Sequence, residues 1–140
     1  MLINYTDKDV ELLARIMRAE AIGEGEIGML MVGNVVVNRV LADCDTFKNI
    51  RTISEAIYQK GQFVGINSSL FYQGPTEKEL ELAKRVLRGE YYYPATNALF
   101  FNAPGVNKPC KTTYYNYDLV GRYKNHCFYA PKYGECPNVY

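Results

Sequence analysis

The segment Glu26–Leu41 constrains this chain more than any other. Ile27, Leu30, Met31, Val32, Val35, Val36, Val37, Val40 and Leu41 make it apolar on nearly every side. A helix with no polar face is a central, buried helix, and the rest of the fold must be built around it. Its β-branched content weakens intrinsic helix propensity, so packing has to hold it. Gly28 and Gly33 would let neighbouring backbone come close. Asn34, Asn38 and Arg39 are polar intrusions that need partners once buried. They either tie loops to the core or support a site.

A second helix is expected in front of it. Thr6 is a suitable N-cap, with Asp7 and Asp9 in the first turn where the helix dipole favours negative charge. Val10, Leu13, Ile16 and Met17 repeat at helical spacing. Glu20 follows on the same face, at the exit of the helix before Gly23-Glu24-Gly25-Glu26. A carboxyl at the end of an apolar stripe is shielded from water, and its pKa rises. Such a group is poised as a general acid. It could equally be structural, paired with Arg15, Arg18 or Arg39. Glu24 would lie one turn on if the helix continued. It could then act as a second carboxylate, bind a cation, or be a solvated loop charge. The glycines argue against continuation, so Glu26 reads as a loop charge.

Further along, Ser54–Gln59 reads as a short helix. Thr76 with Glu79 forms a capping box for a helix carrying Leu80, Ala83, Val86 and Leu87, closed by Gly89. Strands are expected at Ala98–Phe101 and Asn125–Tyr129, separated by an irregular loop through Pro104, Gly105 and Pro109. The fold class is therefore α+β, mainly α: one domain over residues 1–140, with a small β-hairpin or sheet and long C-terminal loops.

Composition narrows function by exclusion. Sixteen basic against 15 acidic residues leave a net charge of +1, a poor provision for neutralising nucleic-acid phosphates. No apolar run reaches the ~18 residues of a membrane span. The N-terminus lacks a basic start followed by an apolar block, so no secretory leader is expected within the sequence; the chain is made in the cytosol, or a leader was removed earlier. Tyrosine occurs 13 times and tryptophan never, with most tyrosines from Tyr91 onward. They serve as rim packing, or as a groove for a polar ligand such as a sugar chain. Cys44, Cys110, Cys127 and Cys136 form no CxxC pair and His126 is the sole histidine, so a structural zinc site is not indicated. Reduced thiols are the default for a cytosolic chain. In an oxidising setting Cys127 and Cys136, bracketing a short loop, make the nearest local pair. His126, beside Phe128 and Tyr129, reads as a packing residue before a catalyst.

Taken together, Ala14-Arg15-Ile16-Met17-Arg18-Ala19-Glu20-Ala21-Ile22-Gly23-Glu24-Gly25, Val32-Gly33-Asn34-Val35, Val37-Asn38-Arg39-Val40, Ile57-Tyr58-Gln59 with Gln62-Phe63, Phe100-Phe101-Asn102 and Asn125-His126-Cys127-Phe128-Tyr129 resemble the SleB/CwlJ family of bacterial cell-wall hydrolases. The four cysteines and the C-terminal ending are most similar to its CwlJ branch of spore cortex-lytic enzymes. The resemblance covers essentially the whole chain. It implies a lysozyme-like or lytic-transglycosylase-like domain acting on peptidoglycan, the glycan strands of the spore cortex, during germination. It makes Glu20 the acid/base that cleaves the MurNAc–GlcNAc bond. The attacking group is then the muramic 6-hydroxyl, and the product an anhydro sugar. Glu24, Asn38, Arg39, Gln62, Phe63, Phe101, Asn102 and His126 become the substrate-binding set, with tyrosines from 91 onward lining the groove. Many family members carry Arg where Ile22 stands; that cation is either missing here or supplied by Arg18 or Arg39.

The same resemblance implies a spore coat or cortex location and a coat-protein partner. No obligatory cofactor and no metal ligand set is expected. Calcium enters through the association of CwlJ-type relatives with calcium-dipicolinate, but no EF-hand spacing is present. The alternatives are a muramidase, an N-acetylmuramoyl-L-alanine amidase, a non-catalytic coat or wall-binding protein, and a phage-encoded lysis enzyme.

Overall fold

A computed structural model describes residues 2–139. The all-round apolar segment is indeed the central element. Helix α2 (Gly25–Leu41) is buried from Gly28 to its end. Helix α1 (Asp7–Ala21) packs along it, capped by the reciprocal Thr6–Asp9 box. Its apolar stripe is dry, with Leu13, Ile16 and Met17 at 1% exposure or less. Helix α5 (Glu77–Leu87) completes the bundle, with the expected Thr76–Glu79 box at its start and Gly89 at φ 96° just past its end. A Cβ on Gly33 would stand 2.9 Å from Val86 and 3.0 Å from the Met17 sulfur, so its missing side chain sets how closely the three helices approach.

Two short helices bridge the bundle. Helix α3 spans Ile53–Tyr58, one residue earlier than Ser54–Gln59, because Thr52 and Glu55 form a further capping box. Helix α4 (Ser69–Tyr72) follows a 3-10 turn at Val64–Asn67. Neither of these last two carries a sequence pattern long enough to be read.

The β layer is larger than a hairpin. Strands β1 (Phe100–Asn102), β2 (Thr113–Tyr114), β3 (Tyr117–Tyr123) and β4 (His126–Ala130) form an antiparallel sheet in the order β1-β4-β3-β2. Phe101 faces Phe128, Tyr114 faces Tyr117, and a register shift lies between Leu119 and Gly121. A two-residue loop joins β2 to β3 with both residues at positive φ, Tyr115 at 51° and Asn116 at 69°. Asn tolerates that geometry and Tyr tolerates it poorly. Stacking on Phe100, with centroids 4.9 Å apart, holds Tyr115 there.

Two disulfides cross-link the molecule, Cys44–Cys136 and Cys110–Cys127. The local Cys127–Cys136 pair and the reduced thiols expected from the sequence are both overturned. Cys127 lies within β4 and meets Cys110 in the loop between β1 and β2. Cys136 turns back to the residues following α2. Spacing along the chain could not reveal either approach. No helix among the described residues is long and apolar enough to cross a membrane.

Candidate functional site

The bundle and the sheet meet at a cleft of about 310 Å³, at the lower end of the roughly 300–1,000 Å³ range of ligand sites. Glu20, Arg39, Gln62, Phe101, Asn102 and His126 line it, together with Phe100, Tyr114 and Tyr115.

Glu20 comes from the last turn of α1 and is half-buried. Its Oε1 accepts the Gly65 backbone N–H at 2.8 Å. Burial pushes its carboxyl up from the ordinary value, against the lesser pulls of that N–H and of Arg39. Gly65 permits the contact. A Cβ at that position would lie 2.9 Å from Glu20 Oε1 and 3.1 Å from the Ala19 Cβ. Nothing in the sequence marks Gly65; it is a site residue that only the fold reveals.

Arg39 reaches the same place from the last turn of α2. It is 2% exposed. Its Nε donates to the Leu99 carbonyl at 2.8 Å, and its guanidinium lies 4.5 Å from the Phe63 ring centre, 4.9 Å from Phe100 and 5.2 Å from Phe47. Burial lowers its pKa to about 9, opposed chiefly by Glu20. It stays cationic at neutral pH. Of the two arginines expected to supply a cation near Glu20, Arg39 is the one placed beside it. Arg18 is not, because Glu79 (2.8 Å) and the carbonyls of Leu70, Gln73 and Gly74 occupy it. Arg15 pairs with Glu11. Among the described residues Glu20 makes no ion pair within 4 Å, and Arg39 is the cation that acts on it.

Three of the expected binding residues sit elsewhere. Asn38 is buried and its amide donates to the carbonyls of Ala95, Thr96 and Ala98 (2.9–3.3 Å); it anchors a loop and borders a separate hollow with Tyr91 and Asn138. Phe63 is buried behind the cleft wall, against Arg39 and Phe101. Glu24 is neither a cleft residue nor a solvated loop charge. It is buried in the 3-10 turn Ile22–Glu24, and its Oε1 lies 3.0 Å from His126 Nδ1. Asn34 ties the chain after α5, donating to Glu90 O and accepting from Tyr92 N.

The tyrosines divide. Tyr114 and Tyr115 line the cleft, whereas Tyr117 and Tyr129 are core residues. Among the described residues, no group of three or more His, Cys, Asp or Glu side chains is arranged to hold a metal ion.

The arrangement of helices and sheet is shared with two solved catalytic domains. The catalytic domain of the Bacillus cereus SleB protein superposes with a TM-score of 0.73, at 22% identity over 90% of this chain and 92% of that one. The catalytic domain of the germination-specific lytic transglycosylase SleB from Bacillus anthracis gives 0.72 at 20% identity. These establish the fold.

The chain belongs to the cell wall hydrolase family, whose profile matches residues 23–129, and is an enzyme of that family. It is 48% identical to the cell wall hydrolase CwlJ of Oceanobacillus iheyensis over 99% of this chain and 97% of that protein. It is 44% identical to CwlJ of Bacillus subtilis over 99% and 96%. A spore cortex-lytic enzyme of Bacillus cereus aligns at 28% over 71% of this chain and 36% of its own length.

Proposed function

We propose that the protein cleaves the glycan strands of spore peptidoglycan, with Glu20 as general acid, by lytic transglycosylation. One observation carries the reading: among the described residues lining the cleft Glu20 is the one carboxyl, burial raises its pKa, and it stands beside a fixed buried cation. Protonated Glu20 donates to the glycosidic oxygen as the bond to the muramic anomeric carbon breaks. The muramic 6-hydroxyl closes on that carbon, so no enzyme-activated water is needed. In the simplest scheme ionised Glu20 takes the hydroxyl's proton. Arg39 stabilises the carboxylate after each donation. Phe101, Tyr114 and Tyr115 offer ring faces for sugars, while Gln62 and Asn102 offer hydrogen bonds. The CwlJ and cortex-lytic names of the relatives support a spore-associated site of action.

Mass analysis of digested cortex tests the reaction type. Products lighter by one water at the muramic end are expected. Reducing ends would make the enzyme a muramidase, and freed stem peptides an amidase.

A further inference from the structure

The single-carboxylate scheme leaves one element of the cleft without a use. His126 opens β4 with its imidazole against the cleft. Its Nδ1 meets Glu24 Oε1 at 3.0 Å, both side chains only 7% exposed. Glu24 is itself fixed: the same oxygen accepts the Asn125 N–H at 2.9 Å, and Lys124 Nζ donates to the Glu24 carbonyl at 3.1 Å. Phe101, edge-on at 5.2 Å, and Phe128 at 6.2 Å brace the ring. A carboxylate only accepts, so Nδ1 carries the hydrogen. In the neutral ring this leaves Nε2 as a lone-pair acceptor. A buried carboxylate–imidazole pair is costly as a structural device and suited to fixing a tautomer at a reacting site.

We propose that His126 Nε2, rather than ionised Glu20, accepts the proton of the hydroxyl that attacks the anomeric carbon, and that Glu24 is its positioning residue. This rests on the reading of Glu20 as the acid. The hydroxyl's proton passes to Nε2 and its oxygen bonds to the anomeric carbon. The glycosidic C–O bond breaks onto the leaving oxygen, which takes Glu20's proton. Glu20 is left as carboxylate and His126 as imidazolium beside Glu24. Release of one proton to solvent and uptake of another restore both groups.

The productive form holds Glu20 protonated and His126 neutral. Burial draws the two pKa values toward each other, raising that of Glu20 and lowering that of His126 against the opposing pull of Glu24. The charged and titratable groups around the imidazole are Glu24 from the α1–α2 turn, Tyr123 and Lys124 from the β3–β4 hairpin, and Glu20, Arg39, Tyr114 and Tyr115 around the cleft. Only Glu24 is bonded to a ring nitrogen among the contacts of the described residues.

The test is the pH dependence of kcat and KM on purified cortex glycan for wild type, His126→Gln, Glu24→Gln and Glu20→Gln. Wild type should give a bell, because the productive form needs His126 neutral and Glu20 protonated. His126→Gln should lose about 10²–10⁴ in kcat, with KM within a few fold, and the limb that reports His126 should vanish. Glu24→Gln should move the limb that reports His126 to lower pH, because the carboxylate that favours imidazolium is gone. A wild type without a bell, or a His126→Gln enzyme that keeps both limbs or retains kcat within threefold, overturns the proposal and leaves Glu20 as sole acid and base. An active Glu20→Gln enzyme overturns the underlying reading instead. If His126→Gln does not fold, Glu24→Gln decides: a bell with neither limb moved overturns the proposal.

Discussion

Replacing Arg39 with Met separates stability from activity in this enzyme. Burial holds the guanidinium at a pKa of about 9 against an ordinary 12.5. At 1.36 kcal/mol per pKa unit, keeping it charged in place costs the fold roughly 5 kcal/mol at neutral pH. The sign follows from linkage. The folded state binds this proton less tightly, so the penalty is complete below about pH 9 and fades above it. Met fills similar volume among Phe47, Phe63 and Phe100. It forfeits the bond to Leu99 O, worth about 1–3 kcal/mol when the carbonyl is left unpaired, and ring stacking worth about 0.5–2 kcal/mol. The balance leaves Arg39→Met between neutral and about 3 kcal/mol more stable. Activity moves the other way, because ionised Glu20 loses its countercharge. The carboxyl pKa then rises further, and the limb of the pH–rate profile that reports Glu20 shifts upward. Thermal melting and rate profiles on cortex glycan measure both. A variant that melts well below wild type, or works as well with an unshifted limb, refutes the reasoning.

Other variants test the supporting structure. Gly65→Ala puts a Cβ 2.9 Å from Glu20 Oε1; displacing the carboxyl by about 1 Å should cost on the order of 10²-fold in kcat, with melting little changed, and unaltered kcat would remove Gly65 from the site. Asn38→Ala deprives two buried carbonyls and a half-buried one of their donor and should cost about 1–3 kcal/mol while activity per folded molecule persists. A KM rise without destabilisation would instead return Asn38 to substrate binding. Cys44→Ser with Cys136→Ser opens a cross-link spanning 92 residues and should cost about 4–5 kcal/mol on chain-entropy grounds. The bridge closed by Cys110 and Cys127, 17 residues apart, should be worth about 3 kcal/mol. Denaturant melts of the two double variants check both values, and the reverse order would contradict the assigned pairing.

The helical half of the molecule was legible because its signals are local. Thr6, Thr76 and Gly89 mark helix ends through bonds made within four residues, and the all-round apolar composition of α2 leaves it nowhere to go but the centre. Glu20 was legible for the same reason, since its shielding follows from its place on a stripe. The sheet was harder. Strand β3 carries Asp118, Gly121 and Arg122, presents one side to solvent, and is defined by partners, not by its own pattern. Glu24 and His126 lie 102 positions apart, Glu20 and Gly65 lie 45 apart, and no periodicity reports contacts of that kind. The cysteine pairing failed likewise, because proximity in sequence misled where the fold brings distant segments together.

The central claim is that the half-buried carboxyl at the end of α1 delivers the proton that breaks the glycan. The most direct measurement is the rate of muropeptide release from purified cortex by Glu20→Gln beside wild type, with matched melting curves. Gln keeps the Gly65 contact and the shape of the side chain but has no proton to give. A fall of at least about 10²-fold is expected, with the fold intact. A folded variant that releases muropeptides within tenfold of the wild-type rate would contradict that claim.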